Sequence, residues 1–134
     1  MARILLIDDD DALREVLRLQ LQRANHEVKE ASDGRQVLED PVAWIDWADL
    51  VITDLFMPER DGIETLCGLK QNCADLPIIV MSGGGRVQDV EDFLGYATQL
   101  GATQALQKPF SRAQLLSAVE LALRDRPMRQ AAVC

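Results

Sequence analysis

Ile4-Leu5-Leu6-Ile7-Asp8-Asp9-Asp10-Asp11 is the stretch on which the fold turns. Four consecutive apolar residues suit a strand buried on both faces, and such strands belong to parallel sheets covered by helices on either side. The run stops directly at carboxylates, so charge begins where the strand ends. Beyond it, Leu13, Val16, Leu17, Leu21 and Ala24 recur at three- and four-residue intervals, the pattern of one inward helix face. A parallel sheet needs a crossover of that kind before its next strand.

The alternation continues along the chain. A weaker strand lies around Val28, and the turn Ser32-Asp33-Gly34 leads into a short helical pattern broken near Pro41. Leu50-Val51-Ile52-Thr53 is a third strand, running into Asp54. Asp61 can cap a helix whose inner face carries Ile63, Leu66 and Leu69 or Lys70. Ile78 to Met81 forms a fourth strand ending at Ser82. Gly83-Gly84-Gly85 then connects to a helix using Val87, Val90, Phe93, Leu94, Ala97 and Leu100, and Gly101 fits the left-handed position past its end. A last strand around Ala105 to Gln107 reaches Lys108-Pro109, and Ser111 caps a helix with Leu115, Leu116, Val119, Ala122 and Leu123 inward. The pattern fades after Arg124, so residues 1–124 read as one domain and 125–134 as a flexible tail. Five strand–helix units in succession predict an α/β domain with a parallel sheet, helices on both faces and right-handed crossovers.

Composition narrows the function. Of 134 residues, 48% are hydrophobic, enough for one core, while 22 Asp+Glu against 14 Lys+Arg leave a net charge of -8. That excess of acid opposes the phosphate-neutralising surface of a nucleic-acid binder and attraction to anionic lipid, so neither nucleic acid nor membrane is an expected direct partner. No apolar run approaches the roughly 20 residues of a membrane span, and Asp8 precedes any signal-peptide apolar region. The expected location is the cytoplasm. Cys67, Cys73 and Cys134 lack zinc-type spacing and read as reduced thiols.

Ligands of such sheets collect at the carboxyl ends of the strands. Here those ends carry Asp8 and Asp9, Asp54, Ser82 and Lys108. If the sheet order makes strands one, three, four and five neighbours, carboxylates converge with one hydroxyl and one ammonium. Crowded anionic oxygens call for a hard cation, and Mg²⁺ uses few protein carboxylates while keeping several waters. Asp10 and Asp11 read instead as the acids that favour a helix start.

Four segments, in this order, resemble the signature of the response-regulator receiver domain: Ile4-Leu5-Leu6-Ile7-Asp8-Asp9-Asp10; Val51-Ile52-Thr53-Asp54-Leu55-Phe56-Met57-Pro58 with Asp61-Gly62; Ile78-Ile79-Val80-Met81-Ser82; and Lys108-Pro109-Phe110. The resemblance implies a flavodoxin-like, doubly wound five-stranded parallel sheet with five helices. It also implies a two-component switch that accepts a phosphoryl group from a phosphohistidine of a sensor histidine kinase or phosphotransfer protein. By position, Asp54 resembles the phospho-acceptor, Asp8 and Asp9 the acids that hold Mg²⁺ together with Asp54 and the Phe56 backbone carbonyl, Ser82 the switch hydroxyl and Lys108 the phosphoryl contact. The Lys108-Pro109 bond is expected to be cis. Such a domain is no turnover enzyme, although it assists its own phosphorylation and dephosphorylation.

Three positions depart from the commoner pattern. Ala105 replaces the aromatic usual three residues before the lysine, which leaves the coupling through the last strand unassigned; Phe110 and Tyr96 are nearby aromatics that read as packing residues. Phe56 and Gly84 cannot position an attacking water, which predicts slow self-dephosphorylation. The stretch from Ser82 to Lys108 is a few residues longer than usual. His26 reads as a surface residue; Trp44 and Trp47 lie in an unusual segment near Pro41, where Trp44 and Ile45 read as either core cover or an apolar spot for a partner. Output is expected through protein contact, by a monomer or a phosphorylation-dependent dimer, on the surface of the Val87 to Leu100 helix, the last strand and the last helix. The alternatives are a receiver-like scaffold indifferent to phosphorylation, motivated by Ala105, and a haloacid-dehalogenase-type phosphatase that would use Asp8 as its nucleophile.

Overall fold

A computed structural model describes residues 1–54, 56–57, 60–82, 95 and 98–124, with the side chains of residues 56–57 and 60–63 outside that description. Its elements are β1 (Arg3–Ile7), α1 (Asp11–Arg23), β2 (Glu27–Ala31), α2 (Gly34–Glu39), α3 (Pro41–Trp44), β3 (Leu50–Asp54), β4 (Phe56–Met57), β5 (Arg60–Asp61), α4 (Gly62–Asn72), β6 (Ile78–Ser82), β7 (Gln104–Gln107) and α5 (Arg112–Arg124). Five strands form one parallel sheet in the order β2-β1-β3-β6-β7, while β4 and β5 make a small antiparallel hairpin. Strands one, three, four and five of the sequence reading are therefore neighbours, as the convergence of their ends requires.

Side-chain alternation along the strands divides the core in two. Leu5, Ile7, Val51, Ile78 and Val80 pack with Val37, Ile45, Leu66 and Leu69 on one face. Ile4, Leu6, Ile52, Ile79 and Met81 pack with Leu17 and Leu21 of α1 and Leu115 and Val119 of α5 on the other. Burying each of these aliphatic side chains is worth roughly 1.5–3 kcal/mol, enough to hold helices on both faces of the sheet.

Local signals set the helix ends. Asp10, Asp33 and Asp40 cap α1, α2 and α3, accepting from the backbone N–H groups of Leu13, Gln36 and Ala43. Ser111 Oγ accepts from Gln114 N at 3.0 Å while Gln114 Oε1 accepts from Ser111 N at 2.8 Å, a reciprocal capping box at the start of α5. Gly101 has φ 101°, the left-handed geometry expected of it.

Some expectations need correction. Val16 is exposed, because Leu13, Leu17 and Leu21 at four-residue steps already fill the contact with the sheet and leave Val16 on the flank, lining a groove with Phe110. In α4 the inward residue is Leu69; the Lys70 ammonium instead donates to the carbonyls of Ala74 and Leu76 beyond the helix end, and burial pushes its pKa down. His26 is half-buried, its Nδ1 accepting from Ala2 N at 3.1 Å. Trp44 and Trp47 pack against the core, with the Lys29 ammonium 4.8 and 5.5 Å from their ring centres. Cys67 is a free, exposed thiol as expected, whereas buried Cys73 is disulfide-bonded. The expected helix from Val87 to Leu100 lies mostly outside the described residues, with Gly95, Thr98 and Gln99 helical; Gly84, Tyr96 and the 125–134 segment also lie outside them. No helix among the described residues is long and apolar enough to cross a membrane.

Candidate functional site

Strand register brings the chemistry to one level. Ile7 pairs with Thr53, so the next residues, Asp8 and Asp54, stand side by side at the carboxyl ends of β1 and β3. Asp54 pairs with Met81, and Ser82 one step on pairs with Gln107, so Lys108 follows just past the end of β7. The Lys108 N–H donates to the Ser82 carbonyl at 2.8 Å, which fixes where the lysine leaves the sheet. The Lys108-Pro109 bond is cis, as expected.

The Lys108 ammonium donates to Asp54 Oδ2 at 2.9 Å and to Asp8 Oδ2 at 3.1 Å. Asp8 is fully buried and Asp54 nearly so. Asp9 sits exposed beside them, and oxygens of Asp8, Asp9 and Asp54 lie within 4.8 Å of one another. Burial alone would push the Lys108 pKa down, but its hydrogen bonds and its attraction to Asp54 and Asp8 outweigh that and hold it above the usual value. At Asp9, desolvation followed by repulsion from Asp8 and Asp54 raises the pKa. Three carboxylates thus face one ammonium. Their oxygen-only donor set and residual negative charge fit a hard divalent cation such as Mg²⁺.

Two further observations complete the site. The Ser82 hydroxyl, at the carboxyl end of β6, is buried with no hydrogen-bond partner among the described residues. The second Asp8 oxygen, Oδ1, accepts from Asp10 N at 2.9 Å, and the Asp8 carbonyl accepts from Arg14 Nη1 at 2.5 Å. Arg14 escaped the sequence reading: a lone arginine beside the apolar stripe of an amphipathic helix has the pattern of a solvated flank, and only its place next to Leu13 and Leu17 hinted otherwise. Phe56 lies in β4, two residues past Asp54. Ala105 on β7 is partly buried and packs against the core.

A family model for the response regulator receiver domain matches residues 4–120. The chain belongs to that family. It is 40% identical over 124 residues to the C4-dicarboxylate transport transcriptional regulatory protein DctD of Pseudomonas aeruginosa, covering 92% of this chain and 26% of the relative. It is 38% identical to the response regulator MprA of Mycolicibacterium vanbaalenii, covering 91% of this chain and 50% of the relative. The chain therefore spans between a quarter and a half of the length of these curated relatives. Among solved structures, a receiver domain protein from Clostridium thermocellum superposes with a TM-score of 0.81 at 28% identity, covering 92% of this chain and 95% of that one. The Vibrio cholerae chemotaxis protein CheY4 superposes with a TM-score of 0.78 at 29% identity, covering 92% and 99%. The flavodoxin-like receiver fold expected from the four segments is the fold observed.

Proposed function

We propose that this receiver domain is a Mg²⁺-dependent switch in the cytoplasm that takes a phosphoryl group onto Asp54 from a phosphohistidine of a sensor histidine kinase or phosphotransfer protein. The observation that carries the reading is the Lys108 ammonium bonded at once to Asp54 and Asp8. An Asp54 carboxylate oxygen attacks phosphorus in line, a P–O bond forms as the P–N bond to the donor imidazole breaks, and the histidine departs with the electron pair and is reprotonated. Phosphoryl transfer asks the protein chiefly for position and charge neutralisation. Lys108 supplies one positive charge, and Asp8, Asp9, Asp54 and the Phe56 carbonyl would hold the Mg²⁺ that supplies the rest. The Ser82 hydroxyl, without a hydrogen-bond partner among the described residues, then donates to a phosphoryl oxygen.

Asp8 is the poorer nucleophile, being fully buried with one oxygen held by Asp10 N and the other by Lys108, which disfavours the phosphatase alternative. Output through protein contact agrees with the net charge of -8. The transcriptional name of DctD belongs to a protein of which the matched segment is 26%. Ala105, small and partly buried against the core where the family commonly has an aromatic, favours a second reading, a scaffold whose partner binding ignores phosphorylation. Intact mass after incubation with acetyl phosphate and Mg²⁺ tests the main reading. Wild type should gain one phosphoryl group and Asp54→Asn none; labelling that persists in Asp54→Asn, or its absence from wild type, ends the proposal.

A further inference from the structure

We propose that Arg14 is a positioning residue of the acid pocket, holding the peptide between Asp8 and Asp9 in the orientation that turns both carboxylates toward one cation. The inference rests on the reading that the pocket holds Mg²⁺. In a continuing strand, successive side chains point to opposite faces of the sheet. Asp8 still prolongs the ladder, its N–H donating to the Ala31 carbonyl of β2 at 3.2 Å. Yet Asp8 and Asp9 bring carboxylate oxygens within 4.8 Å of each other. The chain therefore leaves the strand pleat at the peptide joining them, and the carbonyl of that peptide turns to a side chain instead of a neighbouring strand. That side chain is Arg14, whose Nη1 donates to the Asp8 carbonyl at 2.5 Å.

Arg14 is itself pinned. Its Nε pairs with Glu30 Oε1 on β2 at 3.3 Å and its Nη2 with Asp11 Oδ1 on α1 at 2.7 Å, and the side chain is only 16% exposed. A planar guanidinium with fixed donor directions ties the three partners to one geometry, which an ammonium on a flexible stem does not. The Asp8 carboxylate is already fixed by Asp10 N and Lys108. Rotation of the peptide beyond it therefore chiefly moves Asp9, the exposed member of the trio.

Charge and geometry predict opposite signs. If Arg14 acted only as a nearby positive charge, removing it would tighten divalent binding; if it positions the peptide, removing it loosens binding. Partners of that kind behind metal ligands commonly set affinity by tenfold or more, so Arg14→Ala should weaken Mg²⁺ binding about tenfold. Calorimetric titration with Mg²⁺, repeated with Mn²⁺ by water-proton relaxation, reads this directly. Arg14→Lys keeps the charge and loses the fork, so it should also bind more weakly than wild type, by a smaller factor, and it carries the test if Arg14→Ala does not fold. Arg18→Ala is the control: it breaks the 3.2 Å pair with the same Glu30 without touching Asp8 and should bind like wild type. Unchanged or tighter binding in Arg14→Ala or Arg14→Lys overturns the proposal, as does equal weakening in Arg18→Ala. A wild type that binds neither cation refutes instead the functional reading beneath it.

Discussion

Leu6 and Asp8 stand two residues apart on the same stretch of chain, and both are fully buried. Leu6 lies among Ile52, Ile79, Leu17 and Leu115, where apolar volume is the chief requirement. Asp8 depends on named partners: Asp10 N on one oxygen, a lysine 100 positions away on the other, and Arg14 on its carbonyl. The interior of the sheet is thus specified by volume and its carboxyl edge by geometry. A buried carboxylate contributes little stability of its own and becomes costly when a partner is removed. The edge is kept for what it binds, and the interior pays for it.

That division breaks first, if it is wrong, at Leu6. Leu6→Ala should cost about 2–5 kcal/mol in denaturant unfolding and leave the Mg²⁺ affinity of the folded protein unchanged; a parallel fall in affinity would mean that interior packing and edge geometry are one unit. Lys108→Met comes next. It strips two buried carboxylates of a shared donor and should cost about 1–3 kcal/mol without divalent ion. Saturating Mg²⁺ should then shrink the deficit, since bound cation stabilises the folded state and here replaces the missing positive charge. A deficit that Mg²⁺ leaves untouched would place the role of Lys108 in packing.

The same division explains what could be read without coordinates. The alternation of strands and helices and the inward face of α5 were legible because apolar periodicity reports burial directly; the order of the strands in the sheet was not. The acid pocket was legible because Asp8, Asp9, Asp54 and Lys108 each stand at or just past the end of a strand. Residues whose role arises from contact between elements were not. Val16 and Leu17 fit the helical spacing equally, and only the sheet and α5 decide which is buried. Thr65 is a polar residue next to the apolar stripe of α4, yet it is buried so closely against α2 that a Cβ on Gly34 would meet its Oγ1 at 2.0 Å. Arg14 gains its role from a peptide that turns out of the β1 pleat, and no spacing rule announces such a turn.

The smallest effect lies at the opposite end of β1, where His26 tests whether partner geometry matters away from the pocket. Its Nδ1 accepts from Ala2 N, and Glu27 N donates back to the Ala2 carbonyl at 2.9 Å, which closes the amino end of the sheet. Burial, then the positive amino terminus, pushes the His26 pKa below its ordinary value. A protonated Nδ1 cannot accept that bond, so the folded state favours neutral imidazole. The stabilisation is complete above the unfolded-state pKa of about 6.5 and is lost as pH falls through the lower folded value. Wild type should therefore lose stability relative to His26→Gln as the solution is acidified across that range. The difference should be roughly 0.5 kcal/mol or less, because the imidazole keeps part of its solvent shell. Parallel pH profiles for the two proteins would remove the bond to Ala2 from the account. A difference in acetyl phosphate labelling between them at neutral pH would show instead that the two ends of β1 are coupled.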